Sequence, residues 1–263
     1  MIKRYACPEI TPTWSDERKT QLWQETELAV IRAKVRLGRL PEEIGAKICE
    51  ILEQAPIDLE FWYQKEAELK HDLEAFLEER RRHLPLELQI FLHDDDMTSF
   101  DTEDPAFAIM LRESVAAVDI VYLELAVTLK SLAQKYRYTL MMGRTHGKEA
   151  ELQTFGKRCV TWLAELAVAY EALSRARENL AYSKLSGAVG NYIGIDPELE
   201  EAALKILGLQ PFTGATQIAP RVLYAPLADA LCELVMVLDK IANDIRLNAR
   251  GIRPLMEEPF GKK

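Results

Sequence analysis

Pro105–Lys135 reads PAFAIMLRESVAAVDIVYLELAVTLKSLAQK, and its apolar positions decide the fold. Leu111, Val115, Val118, Tyr122, Leu125, Leu129 and Leu132 step by four and three in turn, which lays one stripe along one long helix. No proline follows Pro105 until Pro197, and no glycine stands between Gly45 and Gly143, so neither helix breaker interrupts the segment. The same alternation returns in Phe155, Cys159, Trp162, Leu166, Ala169, Leu173, Ala176 and Leu180, and again in Leu227, Leu231, Leu234, Leu238, Ile241 and Ile245. Three helices of roughly 25 to 35 residues, each roughly 40 to 50 Å long at 1.5 Å per residue, pack most economically side by side. The stripes read as core, and the fold class expected is all-α. Residues 1–104 would form an N-terminal domain of short helices and residues 105–263 a central long-helix bundle.

The residues ahead of Pro105 carry the punctuation of short helices. Ser15 can cap a helix whose apolar positions include Leu22, Trp23, Leu28, Ile31 and Val35, ending at Gly38. Pro41 opens the next, which ends near Gln54, and Asp58 caps a third. Pro85 breaks the segment that contains Glu78-Glu79-Arg80-Arg81-Arg82, a run that reads as a solvated helix face.

Composition narrows the function. Of 263 residues, 48% are hydrophobic and 29% charged, enough for a buried core and unlike a disordered or low-complexity chain. The net charge of -9 and the lack of a basic stripe exclude a nucleic-acid surface but not a small anion held by local cations and helix N-termini. Cys7, Cys49, Cys159 and Cys232 are far apart with no CxxC pair, and read as reduced thiols. The N-terminal residues lack a signal-peptide apolar stretch, and no run reaches the ~18 apolar residues of a membrane span. A cytoplasmic protein with no membrane partner is expected.

The chemistry-bearing residues fall in the connections. His146 stands in Gly143-Arg144-Thr145-His146-Gly147, where glycines let backbone approach a ligand, Arg144 can hold a carboxylate or phosphate, and an imidazole can move a proton. An exposed loop histidine is the alternative. His71 lies between Lys70 and Asp72, which either orients the ring or is another surface charge. His83 lies in the Arg-rich run, and His93 precedes Asp94-Asp95-Asp96, a trio that lacks the spacing of a calcium loop and reads as exposed. Thr98, Ser99, Thr102 and Asp104 mark a helix N-terminus, with Asp104-Pro105 as cap and first turn. No HxxxH or HExxH occurs, so no metal is expected, and Gly187-Ala188-Val189-Gly190 is too short for a phosphate loop.

In this order the segments resemble the adenylosuccinate lyases of the fumarase/aspartase superfamily. The resemblance runs through Met1-Ile2-Lys3-Arg4-Tyr5, Trp14-Ser15, Lys70-His71-Asp72, Met97-Thr98-Ser99-Phe100-Asp101, Gly143-Arg144-Thr145-His146-Gly147, Thr154-Phe155-Gly156, Gly187-Ala188-Val189-Gly190, Gln217 and Glu257-Glu258-Pro259-Phe260. It implies anti elimination of fumarate from adenylosuccinate, giving AMP, and from the succinyl-carboxamide ribotide SAICAR, giving AICAR. It implies His146 as general acid, and His71 as its assistant or as a ligand of the substrate phosphate. Arg4, Tyr5, Lys70, Asp72, Thr98, Ser99, Arg144, Thr145 and Gln217 would bind the nucleotide. No cofactor is implied, and the assembly would be a homotetramer whose sites are shared between subunits.

Three departures stand out. Asp94 and Asp96 occupy places where the family carries a His and a Gly, with His93 one position out, and Arg221-Val222 replaces an Arg-Asp. The family's base, a serine on a mobile loop, is expected shortly after Lys263, which would leave the 263-residue chain inactive by itself. The competing readings are a catalytically inactive helical self-association module, truncated or degenerate, and another fumarate-releasing lyase of the superfamily.

Overall fold

The computed structural model of the chain describes residues 4, 6–94, 97–250 and 254–257. The architecture is all-α, as expected, with two small β elements in the connections. The chain divides into two compact units, one made of Met1–Ala117 and Asn179–Leu223, the other of Val118–Glu178 and Tyr224–Lys263.

In the first unit, helices α1 (Asp16–Arg36), α2 (Glu42–Gln54), α3 (Leu59–Leu69) and the one-turn α5 (Leu86–Gln89) begin where the sequence punctuation puts them, and α4 (Asp72–Arg81) begins after its cap His71, which carries no such signal. Ser15 Oγ accepts the Arg18 amide, Asp58 accepts that of Phe61, and Gly38 takes the left-handed conformation just past α1 with φ +69°. Each side-chain cap contributes about 1 kcal/mol. The core forms where the apolar faces meet. Leu22, Ile48, Leu52, Phe76 and Leu77 are fully buried, with Trp23 edge-on to both Trp62 and Phe76 at 6.0 and 5.5 Å. Burial of each such side chain is worth about 1.5–3 kcal/mol.

The charge run is not the solvated face its composition suggests. Glu79 and Arg80 are both fully buried and paired, and Arg80 also donates to Gln24 Oε1 and to the carbonyls of Ala55 and Pro56. Composition counted the charges, whereas burial depends on where the helix turns them. The carbonyls left by the α2–α3 turn need donors, and a five-donor guanidinium supplies them.

Helix α6 (Ser99–Lys135) starts six residues before the expected Asp104-Pro105 boundary and contains Pro105. The reason is a reciprocal cap: Asp101 Oδ2 accepts the Thr98 amide at 2.9 Å while the Asp101 amide donates to the Thr98 carbonyl at 2.8 Å. The division between the units falls within α6. After α6 come β1 (Leu140–Thr145), β2 (Lys148–Thr154), α7 (Phe155–Ala176), β3 (Tyr182–Ser183), α8 (Pro197–Ile206), β4 (Gln210–Pro211) and α9 (Ala225–Asn248). β1 and β2 pair antiparallel, and β3 and β4 form a two-residue parallel bridge in the first unit.

In the second unit α7 packs along α9, and the later half of α6 meets α7. Tyr122 stacks on Tyr170 at 3.7 Å, and Trp162 Nε1 donates to Asp244 Oδ2 at 2.8 Å. The α7 stripe from Cys159 to Ala176 is buried as expected. On α9, however, Leu227, Ala230 and Leu234 are buried while Leu231, Leu238 and Ile245 are exposed. This helix is apolar on more than one face, so a heptad count alone picks out only part of the buried one.

Gly156 shows how tightly α7 is seated. A Cβ there would lie 2.5 Å from the Ala133 carbonyl oxygen and 2.7 Å from Arg137 Cα. Because both obstacles are backbone, Gly156→Ala should cost about 1–3 kcal/mol. Thermal melting of the purified chain checks this, and an unchanged midpoint would contradict the packing.

Candidate active site

The short link between α3 and α4 fixes His71. Lys70 caps α3 in the left-handed conformation with φ +57°, and the next residue is already the N-cap of α4. His71 Nδ1 accepts the Glu74 amide at 3.2 Å, so in the neutral ring the proton resides on Nε2. That nitrogen lies 3.3 Å from Ser99 Oγ. Asp72 accepts the Leu73 amide on its carboxylate, and its carbonyl takes the Trp62 indole N–H. His71 and Ser99 are thus brought together, with one ring nitrogen committed to structure and the other presented as a donor.

Thr98, Ser99 and Gln217 are tied together by groups that the sequence reading did not single out. Asp101 and Lys184, both fully buried, meet at 2.6 Å. The same Asp101 Oδ1 accepts the amides of Ser186 at 2.9 Å and Gly187 at 3.3 Å, while Oδ2 holds the Thr98 amide. Lys184 Nζ also donates to the carbonyls of Gln217 at 2.8 Å and Gly187 at 3.1 Å. One turn along α6, Asp104 accepts the Ala219 amide and the Arg221 guanidinium, each at 2.6 Å. Two carboxylates at i and i+3 on α6 therefore clamp both segments that follow it in the site. The Gln217 side chain belongs to an exposed residue. The signal available in sequence was Asp101-Thr102-Glu103-Asp104, acidic groups at one-turn spacing where only caps were sought.

Glu103 is the electrostatic anomaly of this region. Burial, reinforced by Asp72 and Asp104, pushes its carboxyl up to about 7 against the opposing pull of Lys19 and Arg221. His93 turns inward, where its Nδ1 lies 2.9 Å from Glu27 Oε1, which also accepts from Thr102 at 2.5 Å. Burial lowers its affinity for a proton, but the Glu27 hydrogen bond and charge outweigh that and raise its pKa above the ordinary value. Asp94 pairs with Lys34, and Asp95 and Asp96 lie outside the described residues.

Arg144, Thr145 and His146 belong to the other unit. The segment expected to be a loop is a β-hairpin. Thr145 pairs with Lys148, and His146 and Gly147 between them have φ +53° and +76°, the signature of a two-residue type I′ turn. Gly143 sits at a register irregularity where a Cβ would come within 2.8 Å of the Glu151 carbonyl. His146 is exposed at the turn, and Arg144 lies 3.9 Å from Glu149. Of the remaining predicted residues, Arg4 and Lys70 are exposed, and Tyr5 lies outside the described residues. Among the described residues no group of three His, Cys, Asp or Glu side chains is placed to hold a metal ion, and no helix is long and apolar enough to cross a membrane.

The chain belongs to the lyase family, whose sequence model, described as Lyase, matches residues 10–262. More particularly, it is similar to the adenylosuccinate lyases of Synechocystis sp., Thermotoga maritima and Aquifex aeolicus, at 37%, 35% and 38% identity. Each match covers 100% of this chain and 60% of the relative, so the chain spans about three-fifths of their length. Among solved structures, a fumarate lyase from Mesorhizobium sp. BNC1 superposes with a TM-score of 0.84 at 24% identity, over 92% of this chain and 57% of that one. The β-carboxy-cis,cis-muconate cycloisomerase from Acinetobacter calcoaceticus sp. ADP1 gives 0.83 at 22% identity, over 93% and 58%. These likenesses carry the fold.

The raised carboxyl of Glu103 has a stability consequence. Its folded value, about 7, lies above the ordinary 4.5, so its contribution is full below pH 4.5 and is lost as pH rises through 7. Glu103→Gln should therefore stabilise the chain at pH 8, by on the order of 2–3 kcal/mol, and change little at pH 4.5. Urea unfolding at both pH values checks this. An equal gain at both would contradict it.

Proposed function

We propose that this chain is part of an adenylosuccinate lyase, eliminating fumarate from adenylosuccinate and from SAICAR. The observation that carries the reading is the pairing of His71 with Ser99 at the start of α6, in a chain 35–38% identical to three adenylosuccinate lyases. The N-terminus of α6 offers partial positive charge to an anion, and Ser99 Oγ and His71 Nε2–H offer side-chain hydrogen bonds beside it. With Nδ1 held by the Glu74 amide, His71 acts as a donor to a substrate oxygen rather than as a base. Thr98, Gln217, Lys70 and Asp72 complete the nucleotide contacts, with Arg4, Tyr5, Arg144 and Thr145.

In the reaction, a base removes a proton beside a substrate carboxylate, and the C–N bond breaks as its electrons pass to the departing nitrogen, which takes a proton from an acid. His146 is that acid. Its place in a type I′ turn exposes the ring on a short, defined corner of backbone. The base is a serine supplied outside these 263 residues. The assembly is a cytoplasmic homotetramer, and the apolar residues left exposed on α6 and α9, including Ile120, Val127, Leu231, Val235 and Leu238, support self-association through these helices.

Fumarate release from adenylosuccinate tests the reading. The 263-residue chain alone should release none. Joined to the remaining segment of a relative, it should turn over, and His146→Ala should then lower turnover by about 10²–10⁴ with KM little changed. Turnover unaffected by His146→Ala would remove that residue from the acid role, and brisk release by the 263-residue chain alone would contradict the placement of the base.

A further inference from the structure

We infer that Lys184 is a positioning residue of this site: its ammonium fixes Gln217 relative to Thr98 and Ser99, and so sets the spacing of the groups that receive the substrate. The identity of the ligand rests on the functional reading above; the geometry does not. An ammonium has three protons, and Lys184 meets three acceptors, Asp101 Oδ1 at 2.6 Å, the Gln217 carbonyl at 2.8 Å and the Gly187 carbonyl at 3.1 Å. All its donors are spent inside the protein, and its side chain is fully buried, so it touches no ligand itself. Its acceptors lie on α6, on the Ser186–Gly187 segment and on the Gln217 segment. The carboxylate it neutralises is the one that caps α6 at Thr98, so one ion pair joins the helix start to both connections.

Stability alone does not account for the pair. Two buried charges lose nearly as much hydration as their attraction returns, and apolar residues of similar volume often serve as well. What an apolar pair cannot do is hold two carbonyls and three amides at fixed directions. The first unit contains a natural control. Glu79 and Arg80 are also fully buried and paired, but Arg80 reaches Gln24, Ala55 and Pro56, none of which belongs to the site. If buried pairs only stabilise, the two should behave alike.

The experiment compares three forms of the 263-residue chain: the wild type, Asp101→Asn/Lys184→Met, which removes both charges together, and Glu79→Gln/Arg80→Met. Amide hydrogen exchange is measured without ligand, and adenylosuccinate affinity by calorimetry. For Asp101→Asn/Lys184→Met, exchange should accelerate about tenfold or more at residues 98–99, 186–187 and 216–219 but not in α1–α4, and affinity should fall by about a hundredfold. The control should lose thermal stability and keep both site exchange and affinity. Wild-type exchange and affinity in the first variant, or the same losses in the control, would overturn the inference. Should the first variant fail to fold, the wild type decides: the Lys184 ammonium must give a slowly exchanging ¹H–¹⁵N signal, and rapid exchange like that of surface lysines would overturn it. Expected exchange behaviour in a wild-type chain that binds no adenylosuccinate would reject the functional reading and leave the positioning role standing.

Discussion

The contact between Asp101 and Lys184 is the constraint on which the site depends. A carboxylate buried at the third position of a long helix would be costly unless every lone pair found a donor. Here it finds an ammonium and three backbone amides. The solution has a structural consequence beyond neutrality. Donors on different segments must converge on one group, so satisfying Asp101 also sets where Thr98, Ser186 and Gln217 stand. Asp104 repeats the device one turn along, with Ala219 and Arg221. Glu200 on α8 extends it by accepting the Leu185 amide and the Tyr192 hydroxyl. The lyase family to which the chain belongs thus appears here as a set of loops held by carboxylates on helices.

The accumulation of acid around the start of α6 also explains the titration of Glu103. Asp101 and Asp104 are neutralised by dedicated cations, whereas Glu103 is half-buried beside Asp72 and Asp104 and feels only the partial pull of Lys19 and Arg221. The same helix turn therefore contains two carboxylates paired with cations and one, Glu103, that stays protonated to near neutrality. The distinction lies in hydrogen-bonded donors, not in the number of nearby charges.

Much of the fold was legible because its signals are local. Ser15, Gly38, Pro41, Asp58 and Pro85 act within a turn of themselves, and each marks a boundary the structure keeps. The α7 stripe was legible for the same reason. The α9 stripe was legible only in part, at Leu227 and Leu234, since a helix apolar on two sides needs its neighbours to choose the inward face. The burial of Glu79 and Arg80 turns on partners distant in sequence, the carbonyls of Ala55 and Pro56, whereas the early start of α6 rests on the local Thr98–Asp101 cap, which lies ahead of the stronger Asp104-Pro105 signal. Of the residues singled out in sequence, His71 and Ser99 do come together, whereas Lys184, whose three partners span residues 101 to 217, carries no local signal. The hairpin at His146 was hidden because its turn signal, two successive residues with positive φ, reads in sequence as a glycine-flanked loop.

The central claim is that the start of α6, held by Asp101 and Lys184, is the receiving surface for an anionic succinyl nucleotide. A crystal structure of this chain soaked with adenylosuccinate tests it most directly. The account predicts density for the ligand against His71 Nε2, Ser99 and Gln217, with the Asp101–Lys184 contact unchanged. Ligand density at another place on the surface, or a crystal that takes up none at saturating concentration, would contradict it.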